Sequence, residues 1–137
     1  MTERQPNLLK ESTPGPRLAI LVESLFLANL MIIPVLGFLA IAWLWFTKRD
    51  AATELERNHL DQVFITSIKG GTILVGLSVA IFVLGGFSNP WSWVIGVLYF
   101  TCFHATLILF GVIGLNRAIL AQPYRYPVLG PPLERKP

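Results

Sequence analysis

Three apolar stretches set the limits on this chain. Leu18 to Phe46, about Gly70 to Phe87, and Trp91 to Leu115 each approach or exceed the ~18 residues a helix needs to cross a hydrocarbon core of ~30 Å. Charged residues make up 14% of the sequence and hydrophobic ones 53%. A soluble domain carries roughly 25% charge, so this surface is matched to lipid rather than water. The expected fold is an all-α integral membrane protein with three transmembrane helices, over about 18–47, 51–87 and 91–121. The rest is a tail at 1–17 expected to be disordered, a charged connector at 48–69, a short turn, and a proline-rich interfacial tail at 122–137. None of these pieces can enclose a core of its own, which excludes a soluble catalytic domain.

The first stretch, at 29 residues, is longer than a perpendicular crossing requires. Pro34 removes a backbone donor and clashes with the preceding turn, so a bend is expected there. One kinked helix is preferred to a hairpin split at Pro34, whose arms would each be too short to cross. At its far end, Trp43 and Trp45 precede Lys48 and Arg49, the order of an aromatic belt and its cationic anchors. The connector runs without Gly or Pro into the second stretch, predicting one long helix from about Ala51 to Leu84. GGFSNPW then supplies two glycines, Ser, Asn and Pro, strong turn chemistry, so the second and third helices form an antiparallel hairpin. Trp91 and Trp93 mark the interface at that turn.

The single cysteine, Cys102, excludes an intramolecular disulfide and any CxxC motif. MTERQPNLLKESTPGPR lacks a signal-peptide pattern and reads as a mature tail. With three crossings, Lys48, Arg49, Arg57, Lys69, Arg117, Arg125, Arg135 and Lys136 share one side, against Arg4, Lys10 and Arg17 on the other. The positive-inside rule then puts the C-terminus in the cytoplasm and the N-terminus outside.

Ionisable groups within lipid are costly and therefore informative. Glu23 is shallow enough to be an interfacial carboxylate, and Lys69 can snorkel. His104 lies deeper, about 20 Å along its helix from Trp91. Thr101, Ala105 and Gly111 make its face small and polar, and Tyr99 and Thr106 extend the polar surface. The other histidine, His59, is roughly 22 Å away along the axis, and Cys102 points about 200° around the helix, so no metal site within one chain survives. His104 is left as hydrogen-bonded packing, a site shared between subunits, or a proton relay. His59, Gln62, Thr66 and Lys69 recur at steps of three and four, a polar stripe that is either solvated or a docking edge for the C-terminal tail or a partner. Gly76 and Ala80 give a small-xxx-small step for helix contact. Pro123, Pro127, Pro131 and Pro132 forbid regular helix after about 121, and Tyr124, Arg125 and Tyr126 suit a headgroup anchor or a partner-binding strap.

Two segments carry a resemblance. ERNHLDQ, Glu56 to Gln62, and AQPYRYP, Ala121 to Pro127, resemble a family of small uncharacterised bacterial membrane proteins that is distantly similar to the chloroplast inner-envelope import component, with four crossings in that component against three here. The resemblance implies an inner-membrane helical bundle, with the His59 and Gln62 region and the Tyr124 to Pro127 ending as packing or docking features. It brings no reaction, and no nucleophile with its base is present. The sequence thus points to a non-catalytic accessory or assembly subunit of a larger inner-membrane complex, respiratory or otherwise energy-transducing. Its partners are lipid and larger membrane subunits, with no cofactor and no nucleic acid. The alternatives are a homo-oligomeric transporter or channel with a polar path near His104, and an electron carrier holding haem between subunits.

Overall fold

A computed structural model describes residues 16–133. Most of the tail expected to be disordered, residues 1–15, lies outside the described residues, as do Arg135 and Lys136. Four helices follow in order: α1 (Arg17–Met31), α2 (Leu36–Lys48), α3 (Glu54–Gly85) and α4 (Pro90–Ile119). The start of α3 is fixed by a capping box, in which Thr53 Oγ1 accepts from the Glu56 amide while Glu56 Oε2 accepts from the Thr53 amide. Its end is fixed by Gly86, whose φ of 82° is open to glycine at little cost. Asn89 then caps α4, and Pro90 occupies the first helical turn, where its missing N–H costs nothing.

The first apolar stretch departs from the single kinked helix expected of it. It breaks at residues 32–35 and doubles back, so that α1 and α2 form an antiparallel pair. Pro34 stops the first arm, but a second interaction turns a kink into a reversal. Asn29 Oδ1 accepts from the Phe38 amide at 2.9 Å, capping α2 from within α1. Gly37 permits the close approach this needs, since a Cβ there would stand 2.6 Å from Asn29 Cβ. The Ile32 and Ile33 amides both donate to the Ala28 carbonyl, and the Gly37 amide donates to Ile33. A turn surrounded by hydrocarbon requires this internal satisfaction. Val35, at φ 70° and ψ −54°, is the centre of a γ-turn closed by the Leu36 amide donating to the Pro34 carbonyl, a strained conformation for a β-branched residue.

The arms have 15 and 13 residues, about 22 and 20 Å, short of a crossing. Two helices, α3 and α4, are long and apolar enough to cross a membrane, with mean hydropathies of 2.0 and 1.9 over their most apolar windows. The third crossing expected over 18–47 is replaced by the helical pair.

Glycine contacts give the register. Gly70 of α3 faces Leu107 of α4, and Gly96 of α4 faces Phe82 of α3, as in an antiparallel hairpin. On α4, Gly111 meets Phe26 and Leu27, and Gly114 meets Glu23, so α1 is antiparallel to α4. Continuing this register puts the α1–α2 turn level with a point about 15 residues short of Pro90, leaving roughly 22 Å of α3 and α4 beyond it. The short pair therefore covers only the half of the long hairpin nearer the chain ends. Val22, Phe26, Ile41, Leu44, Leu60, Val63 and Tyr126 form the buried core there. The far half presents Val75, Val79, Val83, Ile95 and Leu98 outward.

Trp45, expected in an interfacial belt beside Trp43, also pins α2 to α3. Its indole donates to Asp61 Oδ1 at 2.8 Å and stacks on Phe64 at 4.6 Å. Arg49 grips Asp61 through two bonds of 2.7 and 3.0 Å. Trp43, Trp91 and Trp93 are exposed, the indole of Trp93 donating to the Phe87 carbonyl.

Asn29→Ala keeps the Cβ that packs over Gly37 and deletes only the capping oxygen. It is expected to cost about 1–2 kcal/mol, read as a lower unfolding midpoint in detergent, with Asn29→Asp retaining most of the stability.

Candidate functional site: a buried clasp on the C-terminal segment

The polar residues of the first turns of α3 converge on the C-terminal segment. Asn58 Oδ1 accepts from the Tyr124 amide at 2.9 Å. Gln62 Oε1 accepts from the Tyr126 amide at 3.0 Å, and its Nε2 donates to the Pro131 carbonyl at 2.7 Å. His59 Nε2 donates to the Gln122 carbonyl at 2.8 Å, and Arg117 donates to the Gln122 side chain at 2.8 Å. The chain leaves α4 through Ala121, φ 53°, and folds back through Val128, φ 63°. Proline-rich backbone lacks a regular ladder, so side chains of α3 supply the partners that its amides and carbonyls need.

At the centre lies Glu23 of α1, fully buried and bonded at both oxygens. Tyr126 donates to Oε2 at 2.5 Å, and His59 Nδ1 lies 2.6 Å from Oε1. Because the Gln122 carbonyl can only accept, His59 Nε2 carries a hydrogen, and a single proton lies between Nδ1 and Oε1. Glu23, His59 and Tyr126 all show 0% exposure. A buried carboxylate is stable only with such partners, and here α1, α3 and the C-terminal segment each contribute one group. Gly114 of α4 leaves the space, since a Cβ there would stand 2.5 Å from Glu23 Oε2 and 2.9 Å from the Tyr126 hydroxyl. Phe26 packs edge-on against Tyr126 at 5.2 Å. Burial pushes the Tyr126 hydroxyl well above its ordinary pKa of 10.0, and the neighbouring Glu23 charge and bond push it further. It therefore remains a donor throughout the neutral range.

The remaining sequence-predicted residues are placed as follows. Thr66 is buried on the same stripe with its hydroxyl unpartnered, while Lys69 is exposed. His104 stacks on Phe100 at 5.4 Å, and its Nδ1 is buried without a hydrogen-bond partner among the described residues. The hydrogen bond expected of His104 is thus not made by its Nδ1 among the described residues. Tyr99 does join the two long helices, donating to the Ile73 carbonyl at 2.7 Å. Thr101 is exposed and Ala80 is half-buried, while a Cβ at Gly76 would meet nothing within 4 Å among the described residues. Tyr126 is sealed in the core rather than lying among headgroups, Tyr124 is half-buried, and Arg125 and Pro127 point outward. Sequence reasoning missed the role of Glu23, read as an interfacial carboxylate, and missed Asn58, Asp61 and Gly114. The available signal was a carboxylate in an otherwise apolar stretch of a chain that also carries a polar stripe.

Tyr126→Phe leaves one Glu23 oxygen bare and is expected to cost about 1.5–3 kcal/mol in detergent unfolding. Glu23→Ala, which strands both His59 and Tyr126, is expected to cost about 3–5 kcal/mol. A tyrosine whose folded pKa is raised binds its proton longer when folded than when unfolded. Its contribution is complete below pH ~10 and is lost as the pH rises beyond, and Tyr126→Phe should remove that alkaline fall.

A protein-family model matches residues 17–133, spanning all four helices and the clasped segment. No curated protein and no solved structure matches the chain. The likeness to the chloroplast import component has no support in these comparisons, whereas membership of a small bacterial family does. With nearly every described residue inside the match, the chain belongs to the magnetosome magnetite crystal formation protein family.

Proposed function

We propose that the chain is a non-catalytic accessory component of the magnetosome membrane, a membrane derived from the inner membrane, and that it supports magnetite formation by organising other membrane components. The observation that carries this reading is the sealed clasp. Its histidine, carboxylate and tyrosine are the residue types of acid–base catalysis, yet all three are closed to solvent and already bonded to one another. A catalytic base has to reach the proton it moves, so this cluster supports architecture rather than turnover. The family match gives no support to a respiratory role.

Charge supports an orientation different from the one expected with three crossings. Arg17 at the start of α1 lines the same groove as Lys48 at the end of α2, so both belong to one end of the bundle. Arg49, Arg57, Arg117 and Arg125 lie at that end too, in the connector and beyond the clasp level of α4. The opposite turns, 32–35 and 86–89, carry no charge. The positive-inside rule then places the start of α1 and the C-terminal segment together on the cytoplasmic side, with the α3–α4 turn facing the lumen. That turn offers Ser88 and Asn89 but no carboxylate, thiol or imidazole. Direct iron ligation from it is therefore disfavoured, and action through partners is favoured.

In a Cys102→Ser background, single cysteines at Arg17, Arg125 and Ser88 test the arrangement with a membrane-impermeant thiol reagent applied to intact cells and to inverted vesicles. Positions 17 and 125 should label from one side and 88 from the other, and labelling of 17 together with 88 would sink the two-crossing orientation. For the accessory role, a tagged copy purified in mild detergent should bring stoichiometric membrane partners that are lost when Glu23→Ala opens the clasp. A lone oligomer that conducts ions in liposomes would overturn it.

A further inference from the structure

At the cationic end, the first turns of α1, the last turn of α2 and the approach to α3 flank an open groove of about 380 Å³. Leu18, Leu21 and Leu44 form its apolar wall, with Arg17 and Lys48 at its charged ends. Neither cation makes an ion pair among the described residues. The carboxylate lining the groove, Glu56, is committed to the capping box, its Oε2 receiving the Thr53 amide and hydroxyl at 3.1 and 3.2 Å. The start of α1 adds to the positive field. Among the described residues no side chain caps it, and no acidic residue stands in its first turn, so the helix dipole adds positive potential at this end.

The depth of the groove identifies what fits. With the indoles of Trp91 and Trp93 at one interface, a ~30 Å core spans about 20 residues of α4 and ends close to Gly114, the level of Glu23. Leu21 then sits at the hydrocarbon boundary. Arg17 lies four residues nearer the chain end, about 6 Å further out, at the depth of lipid phosphates. An aliphatic wall at the boundary with two cations one step outside it is complementary to an anionic amphiphile.

We propose that this groove binds one anionic phospholipid of the cytoplasmic leaflet, its phosphate held between Arg17 and Lys48 and the start of an acyl chain laid along Leu18, Leu21 and Leu44. The proposal rests on reading this end of the bundle as interfacial. It adds a specific ligand and gives the unpaired α1–α2 ends a role in choosing the lipid around the protein.

The test uses the full chain in mixed micelles of phosphatidylcholine and phosphatidylglycerol, with retained lipids counted by native mass spectrometry. The wild type should retain one phosphatidylglycerol with roughly tenfold preference over phosphatidylcholine. Arg17→Gln with Lys48→Gln should bring that preference to parity, and Leu21→Asn should weaken retention of both lipids. Arg125→Gln removes an exposed charge from the same end and should leave the preference intact. Equal loss with Arg125→Gln would mean diffuse surface charge and would overturn the site. So would displacement of the lipid by millimolar inorganic phosphate, which would mark a simple anion site, or a second copy of the chain retained in place of lipid. Thermal midpoints of the variants in phosphatidylcholine alone should match the wild type, separating lipid loss from unfolding. An error in the membrane orientation would appear in the thiol labelling while the lipid preference persisted.

Discussion

Everything in the covered half of this bundle depends on burying one carboxylate. Glu23 stands in an apolar helix at the edge of the membrane, where an unpaired charge would cost several kcal/mol. The fold solves this by bringing His59 from 36 residues away and Tyr126 from 103 residues away onto its two oxygens. Neither partner reaches Glu23 unless α1 lies against α3 and the C-terminal segment returns across both. Removing Glu23 strands both partners, and removing either partner leaves a Glu23 oxygen buried and bare, which is why such a network specifies one arrangement even where its net stabilisation is small.

The same constraint explains why α1 and α2 stop halfway. In lipid there is no hydrophobic force to hold helices together, so association depends on close packing and polar bonds. Both are concentrated at the chain-end half: Gly111 and Gly114 under α1, Asp61 holding Trp45 and Arg49, and Glu23 in the clasp. Beyond the Asn29 cap no polar group remains to bind the short pair to the long hairpin, and the exposed turn at Met31, Ile32 and Val35 is apolar enough to end in hydrocarbon. The far half of α3 and α4 is held by smaller devices, the Tyr99 hydroxyl on Ile73 and the close contacts Gly85–Ser92 and Gly96–Phe82.

Much of this was legible in the sequence, and the remainder was hidden for definable reasons. The turn from Gly86 to Pro90 is local chemistry, visible as soon as turn residues are read, whereas the Thr53 capping box moves the helix start from the expected Ala51 to Glu54. The stripe through His59 and Gln62 is likewise a matter of spacing along one helix. Its choice of partner is not, because a hydrogen bond between positions 59 and 23 leaves no periodic trace. Pro34 announced a break, but kink and reversal differ only through the pair Asn29 and Gly37, meeting across the turn. Glu23 can be read for its depth, at the membrane edge, but the partners that decide a carboxylate's fate there leave no local trace. Tyr126 was assigned to headgroups because an amphipathic residue in a proline-rich tail suits that place equally well until the tail is seen to turn inward.

The clasp also settles how the two resembling segments relate. ERNHLDQ and AQPYRYP lie more than 60 residues apart, yet Asn58, His59 and Gln62 of the first bind Tyr124, Gln122 and Tyr126 of the second. Three of these bonds use backbone groups of the second segment, so its main-chain path is read as closely as its side chains. Tyr126 adds a side-chain requirement, because a phenol there both fills the space opened by Gly114 and offers a donor to Glu23. The outward residues Arg125 and Pro127 are then presented on a rigid path rather than a loose tail. A surface held in this way pays its ordering entropy during folding, not on meeting a partner, which is the condition under which a small membrane protein with few exposed polar groups can bind another subunit selectively.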